Sequence, residues 1–132
     1  MVQIFTDGAA RGNPGPAGIG IIIRNDEKVL LEVADYIGTA TNNVAEYTAL
    51  IRGLEEALDM DIDRAEVFAD SELMVKQIKG EYRVKNEGLL PLYQQLMPLI
   101  KKFKHFSIAY IPREKNKRAD KLANKGIDNA IM

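Results

Sequence analysis

The chain has 132 residues, 46% hydrophobic and 28% charged, with a formal net charge of −1; this is globular composition, read as one domain over residues 1–132 with a core that needs no cross-links. There is no Cys, which excludes disulfides, thiolate catalysis and Cys-ligated zinc, and the single His105 excludes a histidine-clustered metal site. No apolar run approaches the roughly 18 residues of a membrane span and no signal peptide opens the chain, so the expected location is cytoplasmic, without a membrane partner.

The small net charge hides an asymmetry. Residues 26–70 hold 12 acidic and 3 basic side chains, whereas residues 101–125 hold 9 basic and 2 acidic ones. Such segregation suits a polyanionic partner on one side of the molecule, although a solvated basic helix would look the same.

Taken in order, Val2-Gln3-Ile4-Phe5-Thr6-Asp7-Gly8 reads as a buried strand ending in an acid. The stretch Ala9-Ala10-Arg11-Gly12-Asn13-Pro14-Gly15-Pro16 is turn-rich and ends that strand. A carboxylate fixed at a strand end beside a glycine-rich loop can hold a hard cation near a phosphate; it can equally just open an Asp-Gly turn. Gly18 to Arg24 and Lys28 to Tyr36 are rich in branched apolar residues and predict two more strands, joined by short connections into an antiparallel meander.

The period then changes. Val44, Tyr47, Leu50, Ile51, Leu54, Ala57 and Leu58 recur at helical spacing, with Asn43 as N-cap, Glu46 three residues on as in a capping box, and an end near Asp59-Met60. Ala65 to Asp70 is a short strand that again ends in an acid, and Ser71 caps a helix to about Lys79. Gly80 to Gly88 is irregular. Leu89 to Lys102 is a helix with Pro91 in its first turn and a kink or early end expected at Pro98. His105 to Ile111 is the fifth strand, and Asn116 is the N-cap of a last helix with Ala119, Leu122, Ala123 and Ile127 inward and Asp120 off that face.

The order β-β-β-α-β-α-α-β-α predicts an α/β fold with a five-stranded mixed sheet, three antiparallel strands then two parallel ones, flanked by helices. If the Ala65 strand pairs with the first, Asp7 and Asp70 stand side by side at the sheet edge where ligands bind in open α/β sheets. Glu46 and Asp120 lie early in helices that pack on that sheet. Singly, Glu46 has a capping-box explanation, Asp70 a helix-cap one and Asp120 that of a surface acid. Together, two to four carboxylates at one edge with no histidine call for Mg²⁺ or Mn²⁺, and two such ions a few ångströms apart make a phosphoryl-transfer site.

These pieces carry a resemblance. The sequence resembles type 1 ribonuclease H over essentially its full length, through Phe5-Thr6-Asp7-Gly8 with Gly12-Asn13-Pro14-Gly15-Pro16, Thr41-Asn42-Asn43-Val44-Ala45-Glu46, Ala69-Asp70-Ser71, Val84-Lys85-Asn86 and Asn116-Lys117-Arg118-Ala119-Asp120-Lys121-Leu122-Ala123. The resemblance implies a ribonuclease H-like fold and an endonuclease that cuts the RNA strand of RNA–DNA hybrids, leaving 5′-phosphate and 3′-hydroxyl ends. Asp7, Glu46, Asp70 and Asp120 match the family's metal-binding carboxylates, with two Mg²⁺ or Mn²⁺ per site. One ion would activate the attacking water and the other would stabilise the leaving 3′-oxygen.

Gly12, Asn13, Asn42, Asn43 and Glu72 match positions placed against the hybrid's minor groove, where 2′-hydroxyls mark the RNA strand. Arg24, Thr41 and Asn86 match positions that hold a DNA-strand phosphate. The family's catalytic-loop histidine has no counterpart, and Arg113 stands in its loop, taking the auxiliary catalytic role; His105 is read as structural. The extended basic handle is missing and no hybrid-binding domain precedes Met1, as in the short form found in some archaea and bacteria and in reverse-transcriptase ribonuclease H domains. Nothing demands more than a monomer.

Two other classes share such a fold: a non-catalytic nucleic-acid-binding domain, against which the four acids count, and a related nuclease acting on double-stranded RNA or DNA. A P-loop is excluded because the glycine-rich stretch lacks the Gly-Lys-Ser/Thr ending.

Overall fold

The computed structural model describes residues 1–131. Its strands are β1 (Val2–Ala10), β2 (Gly15–Asn25), β3 (Lys28–Ala40), β4 (Arg64–Ala69) and β5 (His105–Tyr110). Its helices are α1 (Asn42–Asp59), α2 (Glu72–Ile78), α3 (Leu90–Lys101) and α4 (Lys117–Ile131), with a 3₁₀ turn at Arg113–Lys115. The strands form one sheet in the order β3-β2-β1-β4-β5. The pairs β1–β2 and β2–β3 are antiparallel, and β1–β4 and β4–β5 parallel, as the element order predicts.

Strand alternation divides the side chains between two helical layers. Ile4, Ile19, Ile21, Ile23 and Val67 form one core with Leu50, Leu54 and Ala57 of α1. Each large aliphatic side chain fully buried there contributes about 1.5–3 kcal/mol. On the other face α4 lies directly on β2. A Cβ at Gly20 would stand 2.0 Å from the Ala119 carbonyl oxygen, and one at Gly18 would stand 2.3 Å from that of Ala123. These two glycines are the seat of α4.

Several boundaries differ from the sequence reading. The meander is longer, because Gly15–Ala17 of the turn-rich stretch joins β2 and pairs with Gly38 to Ala40. Pro16 is tolerated there because its carbonyl accepts from the Arg11 N–H at 2.8 Å, so its donor-less nitrogen faces the loop. Helix α1 starts earlier than expected, and its N-cap is Thr41, whose Oγ1 accepts from the Val44 N–H at 3.2 Å. Asn43 is therefore an exposed first-turn residue, and the Asn43–Glu46 capping box does not form. Helix α3 continues through Pro98 to Lys101. The Gln94 residue whose carbonyl loses a donor there is exposed to solvent. His105 is exposed at the start of β5, so it is not a core residue. Among the described residues no helix is long and apolar enough to cross a membrane.

Candidate active site

The parallel register of β1 and β4 sets Thr6 opposite Ala69, so the next residues, Asp7 and Asp70, emerge together where β4 ends and β1 continues. Asp7 pairs across the antiparallel ladder with Gly20 and points, like it, toward α4. Gly8 points to the opposite layer, and a Cβ there would lie 2.2 Å from the Ala45 carbonyl carbon and 2.4 Å from the Glu46 nitrogen. The Asp-Gly pair thus has a packing function: the missing side chain lets α1 settle onto β1, and this brings Glu46 over the strand end.

One carboxylate oxygen from each of Asp7, Glu46 and Asp70 lies within 4.8 Å of the other two. Asp7 and Glu46 are only 4% and 8% exposed. Asp120, in the first turn of α4, reaches the Asp7 carboxyl from the other side of the sheet. Burial, with Glu46, Asp70 and Asp120 around it, pushes the Asp7 carboxyl far above the ordinary carboxylate range. Burial also raises Glu46, opposed by its contact with Asp7, by the Gly8 N–H and by the Arg113 guanidinium. Both carboxyls are thus raised above their ordinary values, chiefly by burial.

Asn116 holds one of these acids in place. It is 2% exposed, and its Nδ2 donates to the Thr6 carbonyl and to Asp70 Oδ2, each at 2.9 Å. Sequence reading gave Asn116 a helix-capping role. It does stand just before α4, and its carbonyl accepts from the Asp120 N–H at 3.1 Å. Its side chain, however, clamps the gap between β1 and the end of β4. The only signal for this was its spacing, one helical turn before Asp120.

The donor set fits a hard divalent cation: carboxylate oxygens with no thiolate or imidazole among them. Glu46 Oε2 is buried without a hydrogen-bond partner, and among the described residues none of these carboxyls forms an ion pair with a lysine or arginine. A cation at this point would satisfy both conditions.

The loop from Arg11 to Pro14 and the start of α1 are interlocked. Asn42 Oδ1 accepts from the Ala10 N–H at 3.0 Å, and Asn13 Oδ1 accepts from the Asn42 N–H at 3.1 Å. With both oxygens held, the amide nitrogens of Asn13 and Asn42 have no protein partner among the described residues. Gly12, at φ +117°, makes the turn between them possible. Glu72 is the exposed first residue of α2, beyond the end of β4. Asn86 lies just before α3, with Oδ1 accepting from the Gly88 N–H at 2.7 Å. The far end of α3, at Leu99 and Lys102, borders the far end of α1, at Leu58 and Asp59.

Arg24 is a correction. It lies at the other end of β2, paired with Gln3, with its Nε donating to the Asp26 carbonyl at 2.8 Å. Gly15, which pairs with Ala40 next to Thr41, is nine positions away along β2, roughly 30 Å of extended chain. Arg24 and Thr41 cannot hold the same phosphate.

The sheet is open and mixed, and its carboxylates gather where β4 ends beside β1. Residues 5–126 match the family described as reverse transcriptase-like. The chain is 44% identical over 99% of its length to the bifunctional protein Rv2228c of Mycobacterium tuberculosis, of which it spans 36%; it thus covers about a third of that curated relative. It is 36% identical over 99% of its length to the ribonuclease H of Halorhodospira halophila, covering 95% of that protein. The fold matches LC11 ribonuclease H1, solved in complex with an RNA/DNA hybrid, with a TM-score of 0.94, 45% identity and all of both chains covered. The chain belongs to the ribonuclease H family.

Proposed function

We propose that this chain is a ribonuclease H acting as a single-domain monomer in the cytoplasm, an endonuclease that hydrolyses the RNA strand of RNA–DNA hybrids with two Mg²⁺ or Mn²⁺ ions and leaves 5′-phosphate and 3′-hydroxyl ends. The observation that carries this reading is the convergence of Asp7, Glu46 and Asp70 oxygens within 4.8 Å at the strand ends, with Asp120 against Asp7. Bound there, divalent cations supply Lewis-acid activation of water and neutralise charge on the scissile phosphate. Asp7, Glu46, Asp70 and Asp120 would hold the ions.

The chain's other residues fit the remaining tasks. Arg113 is exposed on its 3₁₀ turn yet close enough to favour the Glu46 carboxylate, which supports an auxiliary role toward the phosphate or product. Its guanidinium supplies a planar positive charge suited to phosphate. The free amide donors of Asn13 and Asn42, with their chain neighbours Gly12 and Asn43, suit a minor groove lined by 2′-hydroxyls, and Glu72 would contribute to the same surface. Thr41 and Asn86 suit a DNA-strand phosphate. Metal-assisted attack by water needs no covalent nucleophile, which agrees with the absence of Cys.

The test is cleavage of four end-labelled duplexes of one sequence: RNA–DNA, RNA–RNA, DNA–DNA, and DNA with a single ribonucleotide. Each is run with Mg²⁺, Mn²⁺ or EDTA. Metal-dependent cutting of the RNA strand in the hybrid alone is expected. Equal cutting of RNA–RNA would contradict the substrate assignment, and hybrid binding without cutting would favour a binding domain.

A further inference from the structure

Asn124 sits on α4 one turn beyond Asp120. Its Nδ2 donates to the Asp120 carbonyl at 3.0 Å and reaches Asp120 Oδ1 at 3.4 Å. Which way this amide faces is fixed from the other side. An Arg11 Nη donates to Asn124 Oδ1 at 3.2 Å and to the Asn124 carbonyl at 3.4 Å. A guanidinium can only donate, so Oδ1 must face Arg11 and the NH₂ must face Asp120. Arg11 itself is held by Asp128 at 2.6 Å, one further turn along the same helix face.

We propose that Asn124, oriented by Arg11, is a positioning residue for the Asp120 carboxylate, and that through it the substrate-facing loop at Gly12-Asn13 and the fourth acid of the site are held as one unit. The proposal rests on the metal-site reading above. The Arg11–Asp128 pair is exposed on both sides, 38% and 50%, so its contribution to stability is small. Its geometric effect is larger. Asp120 comes from α4, while Asp7 and Asp70 come from the sheet, so its alignment depends on how that helix face is fixed. Arg11 joins the helix to the strand end that carries Asp7.

The experiment compares wild type with Asn124→Ala, Asn124→Gln and Arg11→Ala. It measures Mn²⁺ affinity by isothermal titration of the hybrid-free protein, then kcat and KM on an RNA–DNA hybrid. Asn124→Ala should weaken Mn²⁺ binding and lower kcat, each by roughly 2- to 10-fold, the worth of one ordinary hydrogen bond, with KM unchanged. Arg11→Ala should shift both in the same direction, and Asn124→Gln, which keeps the amide, should recover part of the loss. Wild-type Mn²⁺ affinity and kcat in Asn124→Ala would overturn the proposal. So would a change confined to KM, which would mean that the contact only anchors the loop. Because the metal titration needs no substrate, a wild type that binds Mn²⁺ but cuts no hybrid would remove the functional reading alone. A wild type that binds no Mn²⁺ would remove both.

Discussion

Asn116 donates to Asp70 across 46 residues of sequence, at 2.9 Å, while its second N–H is taken by the Thr6 carbonyl. A buried amide with both donors engaged has no freedom to turn, so the carboxylate it touches is held in one rotamer. Asn116→Ala should lower kcat by about 10-fold or more and destabilise the fold by about 1–3 kcal/mol, because the Thr6 carbonyl is left buried without a donor. Asn116→Asp, though isosteric, should be worse, since an acceptor would then face two acceptors. Steady-state kinetics and thermal unfolding check both variants.

Neutralising the central acid should separate activity from stability. Asp7 and Glu46 are both raised above their ordinary values of 3.8 and 4.5. A group whose value is raised on folding favours the fold fully below its ordinary value, and that stability is lost as the pH climbs through the folded one. The metal-free protein should therefore lose stability from about pH 4 through neutrality on account of this pair. Asp7→Asn should flatten that loss, gaining about 1–3 kcal/mol at pH 7 in EDTA while abolishing cleavage. Added Mg²⁺ should raise the Tm of wild type and leave that of the variant unchanged.

Gly8→Ala tests how Glu46 is delivered. The new Cβ would meet the backbone of Ala45 and Glu46, which cannot move aside as a side chain can. A loss of at least about 3 kcal/mol in unfolding free energy is expected, with weakened Mn²⁺ binding in whatever fraction still folds. Urea denaturation followed by metal titration measures both.

Arg24 and Thr41 should behave differently in hybrid binding. Removing a charged phosphate contact costs about 10-fold or more in affinity and reduces the salt dependence. Arg24→Ala should leave the phosphate contact at Thr41 intact, because Arg24 lies at the far end of β2. Thr41→Ala should raise KM for the hybrid, beyond the roughly 1 kcal/mol of stability lost with its helix cap. Binding isotherms at two salt concentrations separate the cases.

Much of this architecture was legible from sequence, because strand alternation and helical period are local signals. They gave the element order, and the order restricts the topology; Asp70 followed from ending its strand, whereas Asp7 was expected at a strand end and lies inside β1, which runs on to Ala10. Glu46 was legible as a candidate but not in its surroundings, since the glycine that admits it belongs to another element. Arg24 was misplaced because motif order carries no information about distance along a strand. Asn116 read locally as a cap, whereas its partners are 110 and 46 residues away. The Arg11–Asn124 contact spans 113 residues and left no pattern in the sequence at all.

The central claim is that the carboxylates gathered where β4 ends beside β1 form a metal-dependent hydrolytic centre for the RNA strand of a hybrid. The most direct measurement is cleavage of one end-labelled RNA–DNA hybrid in Mg²⁺ by wild type and Asp7→Asn, with hybrid binding by both measured in parallel. Cleavage of the RNA strand by wild type, none by Asp7→Asn and comparable binding by the two is the predicted result. Undiminished cleavage by Asp7→Asn, or binding without cleavage by wild type, would contradict it.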